Sequence, residues 1–149
     1  QQFNNSKMPR IKVAIPAHVS FEAAIPVRIT DLNYGAHLGN DALLSILHEA
    51  RLQLLKHFGY TELDLGGASL IMADVAIEYK GEGFFGDVLT LRLAFDDVHK
   101  YGFDITYHVL NQNGKEVARA KTGMLCFNYQ ERKLMALPDE VKARIETKA

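Results

Sequence analysis

The chain has 149 residues, enough for one domain with a real core, and its 17 Lys plus Arg nearly cancel its 18 Asp plus Glu. That balance excludes a polybasic footprint, so neither nucleic acid nor an anionic membrane is expected as a partner. A single cysteine, Cys126, rules out an intrachain disulfide and requires no oxidising compartment, and a cytoplasmic protein is expected.

The opening Gln1-Gln2-Phe3-Asn4-Asn5-Ser6-Lys7 lacks the apolar core of an export signal, and Met8 is followed by Pro9-Arg10. Residues 1–10 therefore read as a disordered lead foreign to the domain, and residues 11–149 as a single domain. The segment His18 to Thr30, rich in Val, Ile and Phe, predicts a first strand, with Pro26 marking an edge or a bulge. A helix follows from about Asn40 to Phe58, with Asn40 or Asp41 as its N-cap and Gly59 as its stop. On a helical wheel Leu43, Leu47, Ala50, Leu54 and Phe58 form one stripe, widened by Leu44, Ile46 and Leu55. Glu49 falls opposite the centre of that stripe, near Ser45, Gln53 and Lys56, so it meets water or a partner chain.

Beyond Gly66-Gly67 the period changes. Ser69 to Tyr79, Asp87 to Phe95, Tyr101 to Leu110 and Glu116 to Tyr129 read as strands, rich in β-branched or aromatic residues. Asn111-Gln112-Asn113-Gly114 is a strong hairpin signal and Asp97-Val98-His99-Lys100 a weaker one. Pro138 to Thr147 predicts a short closing helix. These elements describe an α+β domain in which one helix lies against a four-strand antiparallel meander. Such a sheet covers only one side of the helix, so a homodimer at least is expected.

Chemistry concentrates between the first strand and the helix, in Asp31-Leu32-Asn33-Tyr34-Gly35-Ala36-His37-Leu38-Gly39-Asn40. A polar, glycine-broken loop that ends at a helix start gathers backbone N–H groups, a helix dipole and a histidine, which suits a polarised carbonyl. Each residue also has a plainer reading. Asn40 caps helices without touching ligand, His37 can satisfy a buried backbone group, and Asn33 and Gly35 are ordinary turn residues. The scattered His18, His99 and His108 lack metal-ligand spacing, no GxSxG motif is present, and Gly81-Glu82-Gly83-Phe84-Phe85-Gly86 reads as a flexible turn with exposed aromatics. No metal or cofactor is expected.

In type and spacing Asp31, His37, Asn40 and Glu49-Ala50-Arg51 resemble the DxDxxGHxxN loop and E-A-R helix of hotdog-fold acyl-CoA thioesterases, the 4-hydroxybenzoyl-CoA thioesterase-like superfamily. The likeness spans Val27 to Tyr129, and only the loop and helix are specific. It implies the hotdog fold, one long central helix wrapped by an antiparallel β-sheet, and homodimers that can pair into homotetramers. It also implies hydrolysis of an acyl-CoA to free acid and CoA, CoA being part of the substrate.

Three positions depart from the family loop. Asn33 replaces an aspartate that serves many members as nucleophile or base, Ala36 replaces a glycine, and Gly39 replaces a frequent asparagine. An amide cannot take a proton near neutral pH, so Asn33 can only hold water or a thioester oxygen. The resemblance makes Glu49 the first choice of base and Asp31 the reserve, with His37 and Asn33 orienting the reactants and Tyr34, Gly39 and Asn40 touching substrate. The rival expectation is a non-catalytic acyl-CoA-binding domain that lost its base at position 33. A hotdog hydratase resembles a different histidine motif, absent here.

Overall fold

The computed structural model describes residues 10–147. Its first strand, β1 (Phe21–Pro26), is shorter than the sequence predicts. Pro26 ends the pairing, and Arg28 and Asp31 then close a 3-10 turn over Ile29–Asp31, with the Arg28 amide donating to the Asp31 carboxylate at 2.8 Å. The long helix α1 (Asn40–His57) stops at Gly59, whose φ of 88° suits glycine. Its N-cap is Gly39, not Asn40 or Asp41, and makes no side-chain cap hydrogen bond. A Cβ at Gly39 would stand 2.7 Å from the Asp41 carboxylate, which would have to turn aside to admit it.

Four long strands follow: β2 (Ser69–Tyr79), β3 (Val88–His99), β4 (Gly102–Leu110) and β5 (Glu116–Asn128). A two-residue strand, β6 (Lys133–Leu134), pairs with the end of β5 and was not legible in the sequence; helix α2 (Asp139–Thr147) closes the chain. All pairs are antiparallel, as expected, but the order is β1-β3-β4-β5-β2 and not a simple meander. Strand β2 pairs with β5 and forms the far edge, so residues 80–87 must carry the chain across the end of the sheet. The hairpin at Asn111–Gly114 forms as predicted, with the Asn111 side chain accepting the amides of Asn113 and Lys115. The weaker turn lies elsewhere: β3 runs on to His99, with its register broken after Asp96 and Asp97 at φ 46°.

Helix α1 lies against β1 and β3, and its Leu43, Ile46, Leu47, Ala50, Leu54 and Leu55, each 2 % exposed or less, join one core cluster with buried residues of the sheet. Truncating one such leucine to alanine typically costs about 2–5 kcal/mol. Leu44, expected in this stripe, is 41 % exposed because it sits on the flank of α1 that faces β2. Along that seam the inner side of β2 is left open, with Met72, Val75 and Tyr79 exposed. Before β1 the chain crosses the sheet from β2, where Val13 donates to Glu78, to β3, where His18 bonds the Phe95 carbonyl at 2.8 Å. This segment belongs to the fold; residues 1–9 of the expected lead lie outside the described residues. Among the described residues no helix is long and apolar enough to cross a membrane.

Candidate active site at the start of the long helix

The loop from Asp31 to Gly39 is held by its own polar residues. Asn33 Oδ1 accepts the amides of Gly35 at 2.9 Å and His37 at 3.3 Å, while the Asn33 amide donates to the His37 carbonyl at 2.8 Å. Ala36 is thereby forced to φ 64°, the left-handed region. Glycine would adopt that conformation freely, and alanine carries a strain of about 1 kcal/mol there. Asp31 is 5 % exposed; its carboxylate binds Arg28 and its carbonyl accepts the Gly39 amide at 2.9 Å. The hydrogen bond and then the charge of Asp31 push the Arg28 guanidinium above its usual range. Asp31 therefore fastens the loop at both ends.

A cavity of about 150 Å³ opens beside the start of α1, walled by His37, Gly39, Asn40, Leu43, Tyr79 and Glu82 among others. A helix start lacks intrahelical acceptors for its first amides, and here the N-cap makes no side-chain cap hydrogen bond, so the positive end of the dipole, with Gly39, Asn40 and Leu43, borders this space. Its opposite wall is the crossover segment between β2 and β3. Leu38 donates to the Gly83 carbonyl at 2.8 Å, and a Cβ on Gly83 would meet the Leu38 Cβ at 2.9 Å. Farther along, Asp87 accepts the amide of Phe84 and the side-chain amide of Gln112, each at 2.9 Å. The segment read as a flexible turn is thus pinned at several points, although Phe84 and Phe85 are exposed as expected.

This arrangement brings together His37, Gly39 and Asn40 of the residues singled out from sequence, and leaves the others outside the cavity wall. Tyr34 projects fully into solvent. Asn33 faces inward to its loop amides. Glu49 is exposed on the flank of α1 toward Arg28, where Gln53 Nε2 donates to it at 3.4 Å. The carboxylate nearest the site's histidine is Glu82, whose Oε2 lies 3.3 Å from His37 Nδ1. Sequence reading missed it. The one signal available was an acidic residue framed by two glycines directly after a strand.

A second polar group lies half-way down α1. Arg51, with 8 % of its side chain exposed, donates to Glu62 at 2.9 Å and to the Tyr107 hydroxyl at 3.1 Å, and Tyr107 in turn bonds Thr122 at 2.8 Å. His48 adds a contact to Glu62 at 2.8 Å. Burial alone would raise the Glu62 carboxyl, but the hydrogen bonds from His48 and Arg51 outweigh it and hold it below the usual range. This network ties α1 to β4 and β5. Among the described residues no cluster of three or more His, Cys, Asp or Glu could hold a metal ion.

The family model described as the thioesterase-like superfamily matches residues 27–145. Solved structures similar to the chain include a 1,4-dihydroxy-2-naphthoyl-CoA thioesterase from Synechocystis, at 22 % identity and TM-score 0.76, covering 84 % of this chain and 94 % of that one. A DHNA-CoA thioesterase from Staphylococcus aureus aligns at 16 % identity and TM-score 0.76, over 85 % of this chain and 90 % of its own. A gentisyl-coenzyme A thioesterase, BH1999, aligns at 15 % identity and TM-score 0.73, over 84 % and 99 %. At these identities the likeness is one of fold. No curated protein matches the chain.

Proposed function

Since the chain belongs to the thioesterase-like superfamily, we propose that it hydrolyses an acyl-CoA thioester to the free acid and CoA. The observation that carries this reading is the uncapped start of α1 opening into a cavity that also holds His37. The thioester carbonyl would lie against the first-turn amides, where the negative charge of a tetrahedral intermediate meets donors already oriented.

A cavity of about 150 Å³ takes the reacting carbonyl and a few atoms around it, not a whole CoA thioester. A groove of about 520 Å³ shares Gly81, Glu82 and Val117 with it and runs on toward the β4–β5 hairpin. Lys80 and Lys115 line that groove, but so do Glu82, Asp87 and Glu116, so it offers no net attraction to a pyrophosphate. It suits the uncharged pantetheine arm. The acyl group would follow the α1–β2 seam, whose open inner side a second copy of the chain would cover, giving a homodimer. Pairing of such dimers into a homotetramer is compatible with this reading.

Asp31 is engaged by Arg28 and Glu49 lies outside the cavity wall of its own protomer, so Glu49 could act only across the dimer. The engagement of the loop's one acid, Asp31, by Arg28 and the amide at position 33 favour one rival, a domain that binds acyl-CoA without cleaving it. Release of free thiol from a panel of aliphatic and aromatic acyl-CoAs, run beside Glu49→Gln and Asn33→Ala proteins, decides between them. Turnover with any member supports the hydrolase; tight binding with no thiol released establishes the binding domain.

A further inference from the structure

The carboxylate that lines the catalytic cavity comes from the crossover segment, not from the loop or the helix. His37 Nδ1 is buried and is, among the described residues, the buried side-chain polar atom left without a hydrogen-bond partner. Glu82 Oε2 stands 3.3 Å away but off the line a hydrogen bond needs. An unpaired buried ring nitrogen is costly, by about 1–3 kcal/mol. The Glu82 side chain is 66 % exposed and so has room to rotate onto it. Catalytic hydrogen bonds are often long in ligand-free structures and tighten when substrate binds.

The backbone around Glu82 is set. Gly83 is pressed against Leu38, and a Cβ on Gly81 would stand 2.7 Å from the Glu116 carbonyl, so both flanking glycines are required for the segment to pass this close. The Phe84 ring lies 5.2 Å from the His37 ring and limits its rotation. Glu82 is therefore presented to the Nδ1 edge of an imidazole that packs beside Phe84.

Resting on the hydrolase reading above, we propose that Glu82 is the positioning residue that makes His37 the base of this site. By accepting a hydrogen bond from Nδ1–H, Glu82 fixes the tautomer in which Nε2 is bare. Water attacks the thioester carbonyl carbon, forming the C–O bond, while Nε2 takes one proton from that water. The carbonyl oxygen's negative charge rests on the amides at the start of α1. The intermediate collapses by breaking the C–S bond; sulfur leaves with the electron pair and takes the proton back from Nε2. The products are the free acid and the thiol, with one water consumed and His37 neutral again. A base is thus supplied although position 33 carries an amide.

The test uses the full chain with Glu82→Ala, Glu82→Gln and Glu82→Asp, followed by thiol release and by long-range proton–nitrogen spectra of the histidine rings at mildly alkaline pH. A His37→Gln protein assigns the His37 signals. Loss of the oriented base is expected to lower kcat by about 10²-fold in Glu82→Ala with KM within roughly threefold, and Glu82→Asp should recover part of it. The His37 spectrum should show Nδ1 protonated in the wild type and a mixture of tautomers in Glu82→Ala. Unchanged kcat in Glu82→Ala, or the same His37 tautomer in both proteins, overturns the proposal. If the wild type cleaves no thioester, the hydrolase reading fails, and the ring spectrum alone then upholds or removes the Glu82–His37 pairing.

Discussion

Leu38 donates its amide hydrogen to the carbonyl of Gly83 at 2.8 Å, and its Cβ occupies the space beside which a side chain on Gly83 would have to fit. That contact locks the loop before α1 to the crossover segment between β2 and β3. In Gly83→Ala the new methyl would meet Leu38 Cβ at 2.9 Å, and backbone atoms must move apart to relieve it. The expected result is a fall in kcat of at least tenfold, since a displacement of about 1 Å near reacting groups can cost 10²-fold. Thermal unfolding should drop by only a few degrees, because a contact between two surface loops is lost and no core volume changes. A variant with full kcat would show that the two loops need not be held together.

The same contact marks the limit of what was legible in the sequence. Periodicity located α1 and β2 to β5 because each buries a face strongly enough to leave its period in the chain: Leu43, Leu47 and Leu54 in the helix, Leu89, Leu91 and Leu93 in β3. Pairing order leaves no such mark. Strand β2 reads the same whether it pairs with β3 or with β5, and only its pairing with β5 sends residues 80–87 past His37. The loop motif announced His37 and the helix start, whereas Glu82 depended on a crossover that local pattern does not encode. Asn33 was visible as a departure from the family loop, but its engagement with the Gly35 and His37 amides was not.

The Arg51, Tyr107 and Thr122 network makes a stability prediction that differs between two substitutions. Tyr107→Phe keeps the ring, whose residue is fully buried, but leaves the Arg51 donor at 3.1 Å and Thr122 at 2.8 Å without that hydroxyl, a loss of about 1–3 kcal/mol. Arg51→Ala removes the partner of Glu62 and the packing of the stem as well. About 3 kcal/mol is expected, toward the low end for a broken buried pair because Glu62 keeps 23 % of its side chain exposed. Urea unfolding of the two proteins checks the order; Tyr107→Phe as damaging as Arg51→Ala would place the energy in the hydroxyl and not in the ion pair.

Glu62 also sets a direction with pH. Its carboxyl is held below the ordinary 4.5 by His48 and Arg51 against the opposing effect of burial, so the folded state binds its proton less readily than the unfolded chain. The stability this contributes is complete above 4.5 and disappears as the pH falls through the lower folded value. Urea midpoints of the wild type and Glu62→Gln should therefore be separated at neutral pH and converge in acid. A separation that persists unchanged in acid would mean that Glu62 acts through packing and not through its charge.

Strand β2 is an outer strand with Met72 47 %, Val75 40 % and Tyr79 51 % exposed, an apolar edge of the kind that invites another chain. If a second copy covers it, the wild type sediments as a dimer. Val75→Lys places a charge on that edge and should shift the protein to monomer, with thiol release falling in step. A wild type that is monomeric at working concentrations and fully active would remove the second copy from the site.

Asn33 provides the sharpest contrast between a holding role and a chemical one. Its Oδ1 accepts two loop amides, at 2.9 and 3.3 Å, and the residue lies outside the cavity wall. Aspartate offers the same acceptor at the same reach, so Asn33→Asp should keep the loop and change kcat by less than about threefold, because a carboxylate oxygen already bonded to two N–H groups is a weak base. Alanine offers no acceptor, and losing both bonds costs about 1 kcal/mol each, freeing Ala36 from its φ of 64° and letting His37 drift from Glu82. Thiol release from Asn33→Ala should then fall by about tenfold or more while Asn33→Asp stays close to the wild type. A large gain in Asn33→Asp would instead mean that position 33 reaches the substrate and that the amide there has been limiting the reaction.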